Sequence, residues 1–228
     1  VPVPRHIAVE GPIGVGKTSL TRRLARHFGW DTLLEGAEEN PFLPDYYRDP
    51  ARHALATQLH FLCQRTRQLQ GLAQRDLFSP GLVADFMFEK DRLFAGIALN
   101  PEEFRLYEEI FARFSPRVPS PDVVIYLVAP IPVLKARIAQ RGIACEQQMG
   151  AEYLASLRAA YDRLFQNYEA APVLMVETDR VDLLHDPSHF AALTRALETG
   201  VQGRQLLEPT AEGLFVAAGS STHARLAI

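Results

Sequence analysis

The chain has 228 residues, 47% of them hydrophobic and 22% charged, with a formal net charge of −3. That size suits one α/β domain with a substantial core, and the charge balance gives no reason to expect a nucleic-acid polymer as partner. No apolar stretch approaches the length of a membrane span and the N-terminal residues carry no signal-peptide core, so a cytoplasmic protein without a membrane partner is expected.

The first predicted element is a strand over 5–10, with Ile7-Ala8-Val9 at its centre. Gly11-Pro12-Ile13-Gly14-Val15-Gly16-Lys17-Thr18 follows, a full match to G-x-x-x-x-G-K-[ST], and a helix is predicted over 17–28. Phosphate binding needs strand, tight loop and helix N-terminus in that order. Glycines let the backbone come close, so that successive N–H groups face the negative charge. Lys17 can reach the β- and γ-phosphates, Thr18 can hold Mg²⁺, and the helix end adds partial positive charge. A nucleoside triphosphate is the expected ligand.

Further strands are predicted over 32–35, 81–86, 122–128 and 172–177, and helices over about 51–74, 101–114, 131–141, 150–169 and 187–199. Val123-Val124-Ile125-Tyr126-Leu127-Val128 is apolar throughout, as in a parallel strand covered on both faces. The alternation predicts an α/β, doubly wound fold with a five-stranded parallel sheet flanked by helices. Pro116-Arg117-Val118-Pro119-Ser120-Pro121 reads as a hinge between helix and strand, and Cys63 and Cys145 have neither metal nor C-x-x-C spacing. Beyond Arg204 the chain becomes irregular, so residues 1–203 are expected to form the domain that carries the phosphate loop and 204–228 a weakly ordered tail.

Three segments bear on the phosphoryl acceptor. Glu35 falls at the carboxyl end of the second predicted strand, where an open α/β sheet places its ligand crevice. A carboxylate there could take a proton from an attacking hydroxyl, although an acidic loop can also simply face water. On the 51–74 helix, Leu55, Leu59, Leu62 and Leu69 form an apolar stripe, and Gln58 and Arg65 lie two turns apart along its edge. The Gln58 amide could read a nucleobase edge with a donor and an acceptor at once, while the pair taken alone also fits ordinary boundary residues. Arg137 and Arg141 share a helical face ahead of Gly142, forming a short lid that could neutralise a transferring phosphoryl group; a solvated basic face is the bland alternative.

Glu35 with Glu39-Asn40-Pro41-Phe42-Leu43, Tyr47-x-x-Pro50, Gln58 and Arg65 resembles the deoxyribonucleoside kinases, the bacterial deoxyadenosine/deoxyguanosine kinases above all. The run from Val83 to Ala95, then Arg137-x-x-x-Arg141-Gly142 and Glu146-Gln147, extends the likeness from about His6 to Leu183. The resemblance implies ATP as donor, Mg²⁺ as cofactor, a deoxyribonucleoside as acceptor with purines favoured, and a homodimer. Glu35 would then be the general base at the sugar 5′-hydroxyl, with Arg65 close by. Tyr47 and Glu146 would hold the 3′-hydroxyl, and Gln58 and Asp91 would read the base. Asp85 matches an acidic residue that either helps place Mg²⁺ or serves as an alternative proton acceptor. Arg137 and Arg141 match lid arginines, and Val181-Asp182-Leu183 match a loop bordering the adenine of ATP.

Two positions depart from the pattern. Phe86 stands where many members carry an arginine after the acidic residue, and Ile143 where many carry a third lid arginine. The absent arginine beside Asp85 weakens the case for an acceptor that already bears a phosphate, since that group needs a cationic partner. A nucleoside monophosphate kinase of the thymidylate kind is the nearest alternative, and a non-catalytic nucleotide-dependent regulator a more distant one.

Overall fold

The computed structural model describes residues 4–71, 80–114, 119–143, 146–147, 149–210 and 213–218. In chain order the elements begin with β1 (His6–Glu10), α1 (Lys17–Phe28), β2 (Asp31–Leu33), a 3₁₀ turn (Ala37–Glu39) and α2 (Leu43–Arg48). There follow α3 (Pro50–Gln70), β3 (Leu82–Ala84), α4 (Lys90–Ala98), α5 (Pro101–Phe114), β4 (Val123–Val128) and α6 (Ile131–Arg141). The last are α7 (Ala151–Asn167), β5 (Val173–Glu177), α8 (Pro187–Thr199), β6 (Arg204–Thr210) and β7 (Gly213–Ala218). The far end of the predicted 51–74 helix, the first part of the proline hinge and Cys145 lie outside the described residues.

The strands form one sheet in the order β2-β3-β1-β4-β5-β6-β7, parallel except for the final β6–β7 pair. Seven strands replace the five expected, because the chain from Arg204 is a hairpin and not an irregular tail. β6 adds in parallel to β5, with Met175 opposite Leu206, and β7 returns antiparallel with Leu207 opposite Val216. Leu206-Leu207 and Leu214-Phe215-Val216 are strand-forming runs, and the hairpin covers what would otherwise be an open sheet edge. The short-side-chained composition belongs mainly to residues 219–228, outside the described ones.

Side-chain alternation divides the core between the two faces of the sheet. Ile7, Val9, Val123, Ile125 and Leu127 pack on one face with Leu20 and Leu24 of α1, Leu134 of α6 and Leu193 of α8. Ala8, Val124, Tyr126 and Val128 face the other way onto Leu157, Tyr161 and Phe165 of α7. A third cluster joins Leu62 and Leu69 of α3 to Phe86, Phe88, Ala95 and Tyr107, so the predicted leucine stripe does become a buried face. Strand order reverses across β1, and the crevice beyond the carboxyl ends of β1 and β3 is where such sheets bind ligands.

Candidate active site

The loop after β1 adopts the conformation its glycines allow. Gly11 has φ 146°, and a Cβ there would lie 2.3 Å from the carbonyl oxygen of Leu127. Gly16, the residue ahead of α1, has φ 106° and open space beside it, so the backbone is bare on the side facing the cleft. Lys17 folds over the loop, its Nζ donating to the carbonyls of Gly11 at 2.8 Å and Pro12 at 3.2 Å. Burial, with the Lys90 ammonium nearby, pulls the Lys17 amine down to about 8.

Asp85, just past β3, links this cradle to the segment after β2. Its Oδ2 accepts the Thr18 hydroxyl at 2.6 Å and its Oδ1 accepts the Glu35 N–H at 2.8 Å. Among the described residues no group of three or more His, Cys, Asp and Glu could hold a metal. A hydroxyl and a carboxylate beside a phosphate cradle nevertheless fit Mg²⁺, a hard ion that usually takes the rest of its shell from phosphate oxygens and water.

The Glu35 carboxylate lies between two cations. Arg65 of α3 bonds its Oε1, and the Nζ of Lys90 donates to its Oε2 at 2.6 Å. The other terminal nitrogen of Arg65 bonds Asp91, which has no exposed surface. Burial works to raise the Glu35 carboxyl, yet Arg65 and Lys90 outweigh it and hold the group well below the usual range. Burial pushes the Asp91 carboxyl up to about 6, although Arg65 opposes the rise. The Glu35 backbone is pinned as well. Gln64 Nε2 donates to the carbonyls of Glu35 at 3.3 Å and Gly36 at 3.1 Å, and Gln68 Nε2 to that of Leu34 at 3.2 Å.

Around these groups opens a cleft of about 1200 Å³. Ile13 to Thr18, Glu35, Tyr47, Gln58, Arg65, Asp85, Arg137, Arg141, Glu146 and Val181 to Leu183 all line it. Sequence-predicted residues from widely separated segments are thereby brought to one space. Asp91 stands behind Arg65 and is not among the lining residues, and Gly11 and Pro12 form the base of the loop. Gln58 is buried, and among the described residues its Oε1 has no hydrogen-bond partner.

The two lid arginines have different partners. Arg137 donates to the Thr178 hydroxyl at 2.7 Å and carbonyl at 2.8 Å, and at 3.4 Å to Val15 O, tying α6 to the phosphate loop. Arg141 pairs with Glu146 at 3.4 Å, and the second carboxylate oxygen of Glu146 is buried without a partner among the described residues. The segment Val181 to Leu183 is fixed from below, with Arg23 donating to Leu183 O at 2.8 Å and His189 Nδ1 accepting the Asp182 N–H at 3.0 Å.

Three contributors were missed in the sequence: Lys90, Gln64 and Glu10. Glu10 is fully buried at the end of β1 and accepts from Gly11 N–H at 3.1 Å, Met87 N–H at 2.8 Å and the Tyr161 hydroxyl at 2.9 Å. A carboxylate closing an apolar strand directly before the glycine loop was the signal available for it. Gln64, one residue before Arg65, lies about 100° further round α3 and away from the leucine stripe, so helical spacing gave no signal for it. Lys90 gave no clear signal, because it sits in the charged run Glu89-Lys90-Asp91-Arg92, which reads as a solvated turn.

A sequence model of the deoxynucleoside kinase family matches residues 7–202. A deoxyguanosine kinase of Bacillus subtilis is 33% identical over 189 residues, which is 81% of this chain and 91% of that protein. A deoxyadenosine kinase of Lactobacillus acidophilus is 32% identical over 189 residues, covering 78% of this chain and 87% of its relative. In fold, a deoxyadenosine kinase from M. mycoides solved with dCMP and a flexible dCDP superposes with a TM-score of 0.74 at 23% identity, over 85% of this chain and 99% of that one. The chain belongs to the deoxynucleoside kinase family. No described helix is long and apolar enough to cross a membrane.

Proposed function

We propose that the protein transfers the γ-phosphoryl group of ATP to the 5′-hydroxyl of a purine deoxyribonucleoside. One observation carries this reading: a single carboxylate, Asp85, joins the Thr18 hydroxyl to the Glu35 backbone. The phosphate cradle and the acceptor-side carboxylate thus form one rigid unit, as in-line transfer requires.

The N–H groups of the glycine loop and Lys17 hold the phosphates, while Thr18 and Asp85 would hold Mg²⁺. When bound, that ion supplies charge neutralisation at the phosphate oxygens. The Asp85 carboxylate is bound to the Thr18 hydroxyl at the phosphate loop, whereas Glu35 lines the cleft on the acceptor side, so Glu35 is assigned as the proton acceptor. Its depressed basicity suits a late proton transfer in a loose transition state, where the nucleophile needs orientation more than early deprotonation. Arg137 and Arg141 neutralise the donor side, Tyr47 and Glu146 hold the 3′-hydroxyl, and Gln58 reads the base. Asp91, which the resemblance places at the base, stands behind Arg65 and acts through it on Glu35. The segment Val181 to Leu183 borders the adenine of ATP.

Purine preference rests on the deoxyguanosine and deoxyadenosine kinases among the relatives. Residence in the cytoplasm and a homodimer belong to the same reading, the latter checked by sedimentation of the purified chain. The deciding experiment is ADP release with ATP and each of the four deoxyribonucleosides, then each of their monophosphates. Fastest release is expected with deoxyadenosine or deoxyguanosine. Release with monophosphates alone, or with no acceptor dependence, would overturn the reading.

A further inference from the structure

We propose that Lys90 is a catalytic residue: it holds Glu35 before transfer and moves to the new 5′-phosphate after it. This rests on the kinase reading above and adds the group that takes up charge on the acceptor side.

Position 86 cannot supply that group. Phe86 has no exposed surface and packs with Leu62, Leu69, Phe88 and Tyr107. Lys90, at the start of α4, lines the cleft, and its side chain is 5% exposed. It stands 5.5 Å from the centre of the Phe94 ring, and among the described residues Glu35 is the one carboxylate that it pairs with. A lysine suits a moving role, because its ammonium is a compact charge with three donors on a flexible stem.

Charge balance gives the sequence of events. Glu35, Asp91, Arg65 and Lys90 form a buried group of two anions and two cations. On transfer, the 5′-O–H bond breaks and its proton passes to Glu35. The 5′-oxygen bonds the γ-phosphorus, and the bond from that phosphorus to the bridging oxygen breaks, leaving its electron pair on the β-phosphate of ADP. Glu35 is now neutral. Arg65 keeps Asp91, whereas Lys90 is left without an anion in a site where a lone charge is costly. The 5′-phosphate appears at that moment beside the carboxylate that Lys90 has lost. Lys90 exchanges one anion for the other, so it serves the product side of the reaction.

The test measures binding of deoxyadenosine and of its 5′-monophosphate by calorimetry, with turnover and thermal unfolding, in the full chain. Lys90→Met is expected to lower kcat by about 100-fold and to weaken the monophosphate by about 10–100-fold, with nucleoside affinity changed less than about 3-fold. Lys90→Arg should recover much of both losses. A merely structural ion pair would instead lower the unfolding temperature and weaken both ligands equally, which would overturn the proposal.

Should Lys90→Met fail to fold, Glu35→Gln compared with Glu35→Gln/Lys90→Met keeps the question open to decision. The double variant buries no unpaired charge at this pair. Glu35→Gln, with Lys90 released, is expected to bind the monophosphate more tightly than the wild type, and the double variant to lose that gain. Equal affinities would overturn the role of Lys90 while wild-type turnover stands. Absence of acceptor-dependent ADP release in the wild type would instead sink the kinase reading beneath it.

Discussion

Arg141 and Glu146 stand 3.4 Å apart on the wall of the cleft, so the arginine proposed for the phosphates is paired with the carboxylate proposed for the sugar. The Arg141 side chain is 54% exposed, and a pair this open contributes little to folding. The unpartnered Oε2 of Glu146 is the more informative atom, since a buried acceptor left idle points to a missing donor. Glu146→Gln should therefore leave the unfolding temperature nearly unchanged. It should raise the KM for deoxyadenosine by about 10–100-fold, the worth of a hydrogen bond to a charged acceptor. It should also narrow the preference for deoxyadenosine over 2′,3′-dideoxyadenosine. Steady-state kinetics with the two nucleosides decides this, and an undiminished preference would remove Glu146 from sugar recognition.

Glu35→Gln tests the assignment of the proton acceptor. The amide keeps the shape of the side chain but cannot accept the 5′-hydroxyl proton. Turnover should fall by roughly 10²–10⁴-fold, about 3–5 kcal/mol of barrier. ATP affinity should change little, because the proposed phosphate cradle is the loop after β1. Single-turnover chemistry and calorimetric ATP binding separate the two effects. Near-wild-type turnover would pass the role to Asp85.

The parts legible in the sequence were those fixed by local rules. The glycine loop could be read because its backbone needs φ values at Gly11 and Gly16 that other residues rarely adopt. The strand Val123–Val128 could be read because both of its faces are buried. Gln58 and Arg65 fell on one edge of α3 by helical geometry alone, and both line the cleft. What escaped depended on contacts distant in sequence. Lys90, between Glu89 and Asp91, has the look of a solvated turn until α4 packs against α3 and brings it to Glu35. The β6–β7 hairpin escaped because its pairing partner, the free edge of β5, is a property of the assembled sheet.

Tyr161→Phe probes the buried carboxylate behind the phosphate loop. Glu10 is held by two backbone N–H groups and the Tyr161 hydroxyl, and burial pushes its carboxyl up. Removing the hydroxyl leaves the ring packed against Tyr126 and Phe165 but takes a donor from a group without access to water. A loss of about 1–3 kcal/mol is expected from urea unfolding. An unchanged midpoint would show that the two N–H groups suffice.

Lys17 is expected to make nucleotide binding depend on pH. Its amine titrates at about 8 in the free protein, against an ordinary 10.5, with burial the main cause and Lys90 the next. Between these values the unfolded chain binds the proton that the folded chain has lost, so Lys17 makes folding stability rise with pH across that window. Bound phosphates favour the charged form, so ATP binding in the same window must draw a proton from solution. Calorimetry at about pH 9 in two buffers of different ionisation enthalpy should show uptake of most of one proton, and at about pH 6.5 none that depends on Lys17. The affinity for ATP should then weaken by up to about tenfold per pH unit above 8. Absence of proton uptake at the higher pH would mean that Lys17 is already fully charged in the empty cleft, or that it does not meet the phosphates.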